Sequence, residues 1–423
     1  MNGRRSWFWP LNGLFVLLPA VLIFVVVLVR THPMWSWPYP VWVQTSAHWH
    51  QQFTFAGPIA GAMAALWAVR LNGADRIWSQ FAAPRVGSGV VVRHLGLLTA
   101  WFVGAYVLAL LPLTVTTAVK GGIGEPEPLV MASGVLAMAA VTALGYVVGT
   151  LVRSLAAVPI LAVALYCLDA FAAYGTDTFG AIVPQLYVDP VLGLTESTSL
   201  VVFRLALFLT VAAASTTLAA TVLRRRATGR YRSPLMQARD VAVYALAPVV
   251  LVSTAVVTTP DLFAIEASAD ERTCTTAHGL EFCVHENNAP RLDGMIEAFE
   301  PVLARYGTTP SQFDAIWDHT LLLHQPMSGL PVDGVVVTRL DPDGSVDTMS
   351  SGILMTLSGV GLCATPPPPQ VEQLQANLYD YLDTGALTGL LSGLRPHQVH
   401  AWIDRHNDQL ATCSLGEQDV PHT

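Results

Sequence analysis

Residues Leu14–Val29 read LFVLLPAVLIFVVVLV, an apolar run without a charge. A helix needs about 20 mainly apolar residues to cross a hydrocarbon core of about 30 Å, and this run with its flanks has that length. Arg4 and Arg5 precede it, as they would in a secretory signal. The next residues are THPMWSWPYPVWVQ, rich in Trp and Tyr, and not a small-residue cleavage site. Such rings collect at the membrane–water boundary. The run therefore reads as a retained helix that ends in an interfacial belt.

Working outward, seven stretches have the length and apolarity of a span, at about 12–30, 52–70, 96–119, 128–152, 154–174, 199–223 and 241–260. The composition agrees: of 423 residues, 52% are hydrophobic and 12% charged, against about 25% charged in soluble domains. An ordinary water-soluble enzyme is excluded. The net charge of -8 divides into a basic part, residues 1–260, and a strongly acidic part, residues 261–423. Such asymmetry indicates two environments.

Arginine placement gives an orientation. With the N-terminus inside, the inner segments collect Arg4 and Arg5, then Arg70, Arg76, Arg85 and Arg93, then Arg153. The last inner segment holds Arg224, Arg225, Arg226, Arg230, Arg232 and Arg239. The outer loops hold little beyond Lys120 and Arg30, so the positive-inside rule is met throughout. An odd number of spans places residues 261–423 outside. Cysteines point the same way. Cys167 falls in the fifth span and reads as a small buried residue. Cys274, Cys283, Cys363 and Cys413 all lie in the acidic tail, an even count suited to an oxidising compartment. Of the three possible pairings we favour Cys274–Cys283, which closes a short loop, and Cys363–Cys413, which ties a hairpin region to the end of the last helix.

The expected fold is a mostly α polytopic membrane protein of about seven transmembrane helices, N-terminus inside and C-terminus outside, with a C-terminal extracytoplasmic α+β domain. The divisions are 1–225, a six-helix transmembrane domain; 226–260, a basic linker and seventh helix; and 261–423, a disulfide-containing outer domain.

Between the second and third spans lies LNGADRIWSQFAAPRVGSGVVVRHLG (Leu71–Gly96), whose early part forms a short amphipathic helix with Ile77, Trp78 and Phe81 on one side. The alternative is a polar loop on the membrane surface. A very short inner turn, Val152–Ser154, comes after the fourth span. Between the fifth and sixth lies TDTFGAIVPQLYVDPVLGLTEST (Thr176–Thr198), too apolar for a solvated loop and broken by Pro184, Pro190 and Gly193. Two half-spans dipping into the outer leaflet would suit it.

With these elements in order, residues 10–225 resemble the permease subunit of ABC-2 type transporters. DRIWSQFAAPR (Asp75–Arg85) is similar to the coupling region of actinobacterial members. The resemblance implies an exporter-like permease in the cytoplasmic membrane that uses a separate P-loop ATPase. That partner would dock through Asp75, Ile77, Trp78, Phe81 and Arg85, and two permease copies, or this chain with a second permease, would surround a pathway. The chain itself holds no GxxxxGK[ST] loop, so ATP hydrolysis is expected in the partner. The seventh span and the outer domain are additions to that pattern.

Within the spans, Asp169 and Arg204 have matching depths from the outer side. They can pair, which would lower the cost of about 2.5–3.5 kcal/mol for a central charge; alternatively Arg204 snorkels to the headgroups and Asp169 meets water. GPIAG (Gly57–Gly61) and GYVVG (Gly145–Gly149) permit close helix contact.

In the tail, Leu292, Met295, Ile296, Phe299, Val302 and Leu303 predict an amphipathic helix, and Phe313, Ile316, Trp317 and Leu321 a second. VVVTRLDPDGSVDTMS predicts two strands about a DPDG turn, and helices are expected at about 371–392 and 395–411. His397, His400 and His406 invite a metal hypothesis, but 406 lies opposite 397 on one helix, and no HExxH is present. Asp341, Asp343 and Asp347 miss the EF-hand spacing and read as a turn. No cofactor or metal is expected. The competing readings are a membrane-tethered hydrolase or metal protein acting through the tail, and a non-transporting sensor or scaffold. Nucleic acid binding is disfavoured, because topology accounts for the basic residues and the soluble module is acidic.

Overall fold

The computed structural model describes residues 13–72, 86–173, 177–184, 190–228, 234–258, 261–266, 271–323, 334–347, 352–361, 363 and 366–421. The chain forms two compact units, Met1–Ala264 and Ile265–Thr423.

The first unit is helical: α1 (Gly13–Thr31), α2 (Trp42–Gln51), α3 (Phe53–Leu71), α4 (Val86–Val119), α5 (Pro128–Val152), α6 (Ala157–Ala173), α7 (Asp177–Ile182), α8 (Thr198–Ala227) and α9 (Pro234–Thr258). A short strand, β1 (Leu194–Glu196), precedes α8, and it pairs with β2 (Phe263–Ile265) after α9. Among the described residues six helical stretches are long and apolar enough to cross a membrane. The expected fifth span, α6, is shorter, at 17 residues.

The bundle core is built from α1, α3, α4, α5 and α8 and is dominated by small residues and aromatics, among them Ala56, Ala60, Ala64, Phe102, Tyr106 and Tyr146. Small residues let backbones approach where lipid gives no hydrophobic drive between helices. The two Gly-rich steps meet here: a Cβ on Gly145 would lie 2.0 Å from Gly61 O, and one on Gly149 2.3 Å from Ala65 O. Outward faces are apolar instead of charged, with Leu18, Leu108, Ile160, Phe171, Val202, Leu246 and Val257 all exposed. Water does not sustain so extended an apolar surface on a monomer; lipid does. The first unit is a membrane-associated bundle.

Two local expectations change. Cys167 is exposed on α6, not buried, because that helix packs with little of its circumference covered. Residues 176–198 do not form two half-spans in the parts described: α7 has six residues, and Gly193, at φ 85°, turns the chain into β1. Strand pairing with β2 takes the backbone groups that a second half-helix would have satisfied internally.

The second unit carries a five-stranded sheet, β3 (Arg272–Ala277), β4 (Leu280–His285), β5 (Ala315–Asp318), β6 (Val335–Leu340) and β7 (Val346–Asp347), in that spatial order. The central strands β4, β5 and β6 are parallel and the edges antiparallel. Helix α10 (Leu292–Tyr306) crosses from β4 to β5, and α11 (Ile353–Ser358), α12 (Pro369–Thr384) and α13 (Pro396–Ala411) come after the sheet. Leu280, Phe282, Val284, Ile316 and Val336 join Met295, Phe299, Leu378, Val399 and Ile403 in one core. The expected helix at Phe313–Leu321 is instead strand β5 and a 3-10 turn, since a parallel partner lies on each side of Ile316 and Trp317. The helix expected to reach 392 stops at Thr384, where Gly385 takes φ 78°.

Candidate functional site

Helix α2 reads WVQTSAHWHQ and is polar, yet Gln44, Thr45, Ser46, His50 and Gln51 are buried. A buried polar group needs a partner or costs several kcal/mol, so the surroundings of α2 define the first site. His50 holds two acceptors. Its Nδ1 lies 3.1 Å from Pro184 O, and its Nε2 meets Glu196 Oε1. The other carboxylate oxygen of Glu196 accepts from Arg204 Nη1 at 2.8 Å. Arg204 also donates through Nη2 to Gly180 O at 2.6 Å and to Val183 O at 3.5 Å. All three side chains are fully buried. His50 of α2 and Arg204 of α8 thus reach the carbonyls of residues 180–184, and Glu196 of β1 bridges the two side chains.

This corrects the proposed Asp169–Arg204 pair. Arg204 pairs with Glu196, eight residues earlier on its own strand–helix unit. Asp169 is itself buried, and its Oδ2 has no hydrogen-bond partner among the described residues. Depth matching considered only charges inside spans. The missed signals were QTSAHWHQQ (Gln44–Gln52), a polar run in an apolar neighbourhood, and Glu196 just before the sixth span.

The cluster is fixed from outside by the β1–β2 pair. Ser197 N donates to Leu262 O at 3.0 Å, Ser197 Oγ to Asp261 O at 2.6 Å, and Ala47, Ala181, Leu200 and Leu262 pack together beside it.

A second network closes the other end of the bundle. Asn72 Nδ2 donates to Thr150 Oγ1 at 2.8 Å, Tyr146 OH to Asn72 Oδ1 at 3.4 Å, and His94 Nδ1 lies 2.8 Å from Tyr146 OH. Arg226 Nη1 donates to Thr150 O at 2.5 Å, capping the end of α5, and Arg225 pairs with Asp240 at 2.7 Å. Asn72 and His94 flank the expected coupling segment. Asp75, Ile77, Trp78, Phe81 and Arg85 themselves lie outside the described residues.

In the second unit Cys274 bonds Cys283, and Cys363 bonds Cys413. Cys274 and Cys283 face each other across β3 and β4, where a His278–Gly279 turn, both residues at positive φ, closes the hairpin. Their sulfurs and Glu281 sit close together, but bridged sulfurs are not thiolate ligands. The three helix histidines separate: His397 is exposed, His400 Nε2 lies 3.2 Å from Tyr381 OH, and His406 is buried, stacked on Trp402. They form no common ligand set. Asp343 Oδ1 accepts from Ser345 N and Oγ, so the DPDG segment is a turn, with Asp341 paired to Arg339.

The buried polar cluster of this unit is elsewhere, at the carboxyl end of β5. Asp318 accepts from Asn288 Nδ2 at 2.7 Å, Thr320 Oγ1 at 2.8 Å and Thr320 N at 3.3 Å, with His319 Nδ1 at 3.3 Å. Burial pushes the Asp318 carboxyl up, but the bonds and charge from His319, Thr320 and Asn288 outweigh it and hold it below the usual carboxylate range. No family model, curated protein or solved structure matches this chain.

Proposed function

We propose that the chain is the permease subunit of an ABC-2-like transporter in the cytoplasmic membrane, moving its substrate outward with energy from a separate P-loop ATPase. The observation that carries this reading is the segment between α6 and α8. A plain connector would loop into water, whereas residues 180–184 are drawn into buried contacts with Arg204 and His50. That is the place where the ABC-2 pattern has a re-entrant element. The tight turn after α5, made by Arg153 in the left-handed region, fits the same order of elements.

In this reading seven helices cross the bilayer, the N-terminus is inside, and the acidic unit is outside. The ATPase docks on the segment holding Asp75, Ile77, Trp78, Phe81 and Arg85, and its motion reaches α4, α5 and α8 through His94, Asn72, Tyr146, Thr150 and Arg226. Two permease copies, or this chain and a second permease, form the pathway, and the outer unit caps it or receives the substrate.

Affinity purification of the tagged chain in mild detergent, with mass spectrometry of the copurifying polypeptides, tests the proposal. A stoichiometric P-loop ATPase is expected, lost in the double variant Trp78→Asp, Phe81→Asp. Absence of any such ATPase after crosslinking in the membrane would overturn it.

A further inference from the structure

We propose that His50 and Glu196 together bind a dissociable proton, and that this proton latches the segment at 180–184 onto helix α2. The argument is a count of donors. Pro184 O is a carbonyl and can only accept, so the 3.1 Å contact requires a hydrogen on His50 Nδ1. An ionised Glu196 can only accept as well, so the contact with Oε1 requires a hydrogen on Nε2. A neutral imidazole carries one hydrogen, not two. The pair therefore holds one proton beyond a neutral ring and a carboxylate. It sits on the ring, giving imidazolium and carboxylate, or on Glu196 Oε1, which then donates to Nε2. With Arg204 the cluster carries one net positive charge in either form.

Removing the proton leaves a lone pair on one ring nitrogen against an acceptor oxygen, either Pro184 O or Glu196 Oε1. Both side chains are fully buried, so water does not relieve that contact. The lost contact is either the one that holds Pro184, leaving Arg204 to retain Gly180 and Val183, or the one that ties Glu196 of β1 to α2. Protonation closes the latch and deprotonation loosens it. Among the described residues, the ionisable groups that the packed elements bring towards α2 are few. Glu196 comes from β1 and Arg204 from α8; Tyr106 of α4 donates to Trp49 O; Glu127 at the head of α5 is anchored through its N–H on Ser46 Oγ; and His48 on α2 itself meets Gln52. Of these, Glu196 alone touches the imidazole. This inference stands without the transport reading.

The test is hydrogen exchange with mass spectrometry on the full chain in lipid nanodiscs across about pH 5 to 9, corrected for the intrinsic pH dependence of exchange. In the wild type, peptides covering 180–184 and 194–204 are expected to lose protection by about tenfold per pH unit above the release point, as one-proton linkage requires. Peptides from α3 and α5 are expected to hold theirs. Glu196→Gln supplies an amide N–H to Nε2 and an amide oxygen to Arg204, satisfying a neutral ring with no dissociable proton. Its protection is therefore expected to stay high and flat with pH. A flat wild-type profile, or a Glu196→Gln profile that tracks the wild type, would overturn the proposal. Should that variant not fold, ¹⁵N-histidine and ¹³C-carboxyl spectra of the wild type decide, with His50→Gln marking the signal. A doubly protonated ring, or a neutral ring beside a protonated Glu196, supports the latch. A neutral ring beside an ionised Glu196 at every pH overturns it.

Discussion

Asp318 shows how a single buried carboxylate can set the behaviour of its unit. It has no exposure, and its oxygens are engaged by Asn288, His319 and Thr320. Its proton affinity is lowered on folding, so the folded state is favoured above the ordinary carboxylate pKa of about 3.9. That contribution is lost as pH falls through and below this value, because the unfolded chain then takes the proton first. Urea melts of residues 265–423 prepared with both disulfides should show midpoints falling as pH drops from about 5 to 3. Asp318→Ala should be destabilised by about 1–3 kcal/mol at neutral pH, since it strands the donors of Asn288 and Thr320, and should lose most of that acid slope. An unchanged slope in the variant would assign the acid response to other carboxylates. Asp318 could not be singled out from sequence, and of the His50–Glu196–Arg204 cluster only Arg204 was, with another partner. In a tail with so many acids an isolated Asp carries no signal, and Glu196 acquires its meaning from two residues far along the chain that only folding brings to it.

At the level of elements, legibility tracked the strength and length of the pattern. The long apolar runs of α1, α4 and α5 have one reading, because nothing else in proteins requires so many uncharged residues in sequence. Of the three possible cysteine pairings the favoured one formed. The DPDG hairpin was equally plain. The segment at Phe313–Leu321 was not. Its apolar residues fit helical spacing over barely two turns, and a short buried strand gives the same pattern. Ile316 enters the core while Trp317 lies on the other face under Arg272, a two-residue alternation that appears only once β4 and β6 are in place. The Gly-rich steps of α3 and α5 were read as packing surfaces, and the contact they make is testable. Gly145→Ala places a methyl carbon 2.0 Å from a backbone oxygen, so the helices must part. Gly104→Ala, on α4, meets nothing within 4 Å and should be neutral or gain up to about 1 kcal/mol in helix propensity. Thermal aggregation of the detergent-solubilised chain should shift down clearly for the first and not for the second. Equal shifts would mean that α3 and α5 do not depend on close approach.

For the molecule as a whole, orientation turns on α6. Its 17 residues rise about 25 Å at 1.5 Å each, a little short of a hydrocarbon core of about 30 Å. Local thinning or snorkelling of flanking residues can absorb that difference at a modest cost. If α6 crosses, the chain has seven spans and its two ends lie on opposite sides. If α6 stays in one leaflet, the count is six, both ends share a side, and Arg224, Arg225, Arg226 and Arg239 fall on the side opposite Arg70 and Arg93. The second arrangement sets the arginines of α8 and α9 against the positive-inside bias. It would also put both disulfides on the side of the N-terminus, where Arg4 and Arg5 argue for a reducing cytoplasm. Both arguments favour a crossing α6. Protease added to right-side-out vesicles should therefore remove residues 265–423 and leave a protected fragment that ends near Ala264, while a tag at residue 1 survives until the vesicles are opened. Protection of the acidic unit in sealed vesicles would show that α6 does not cross.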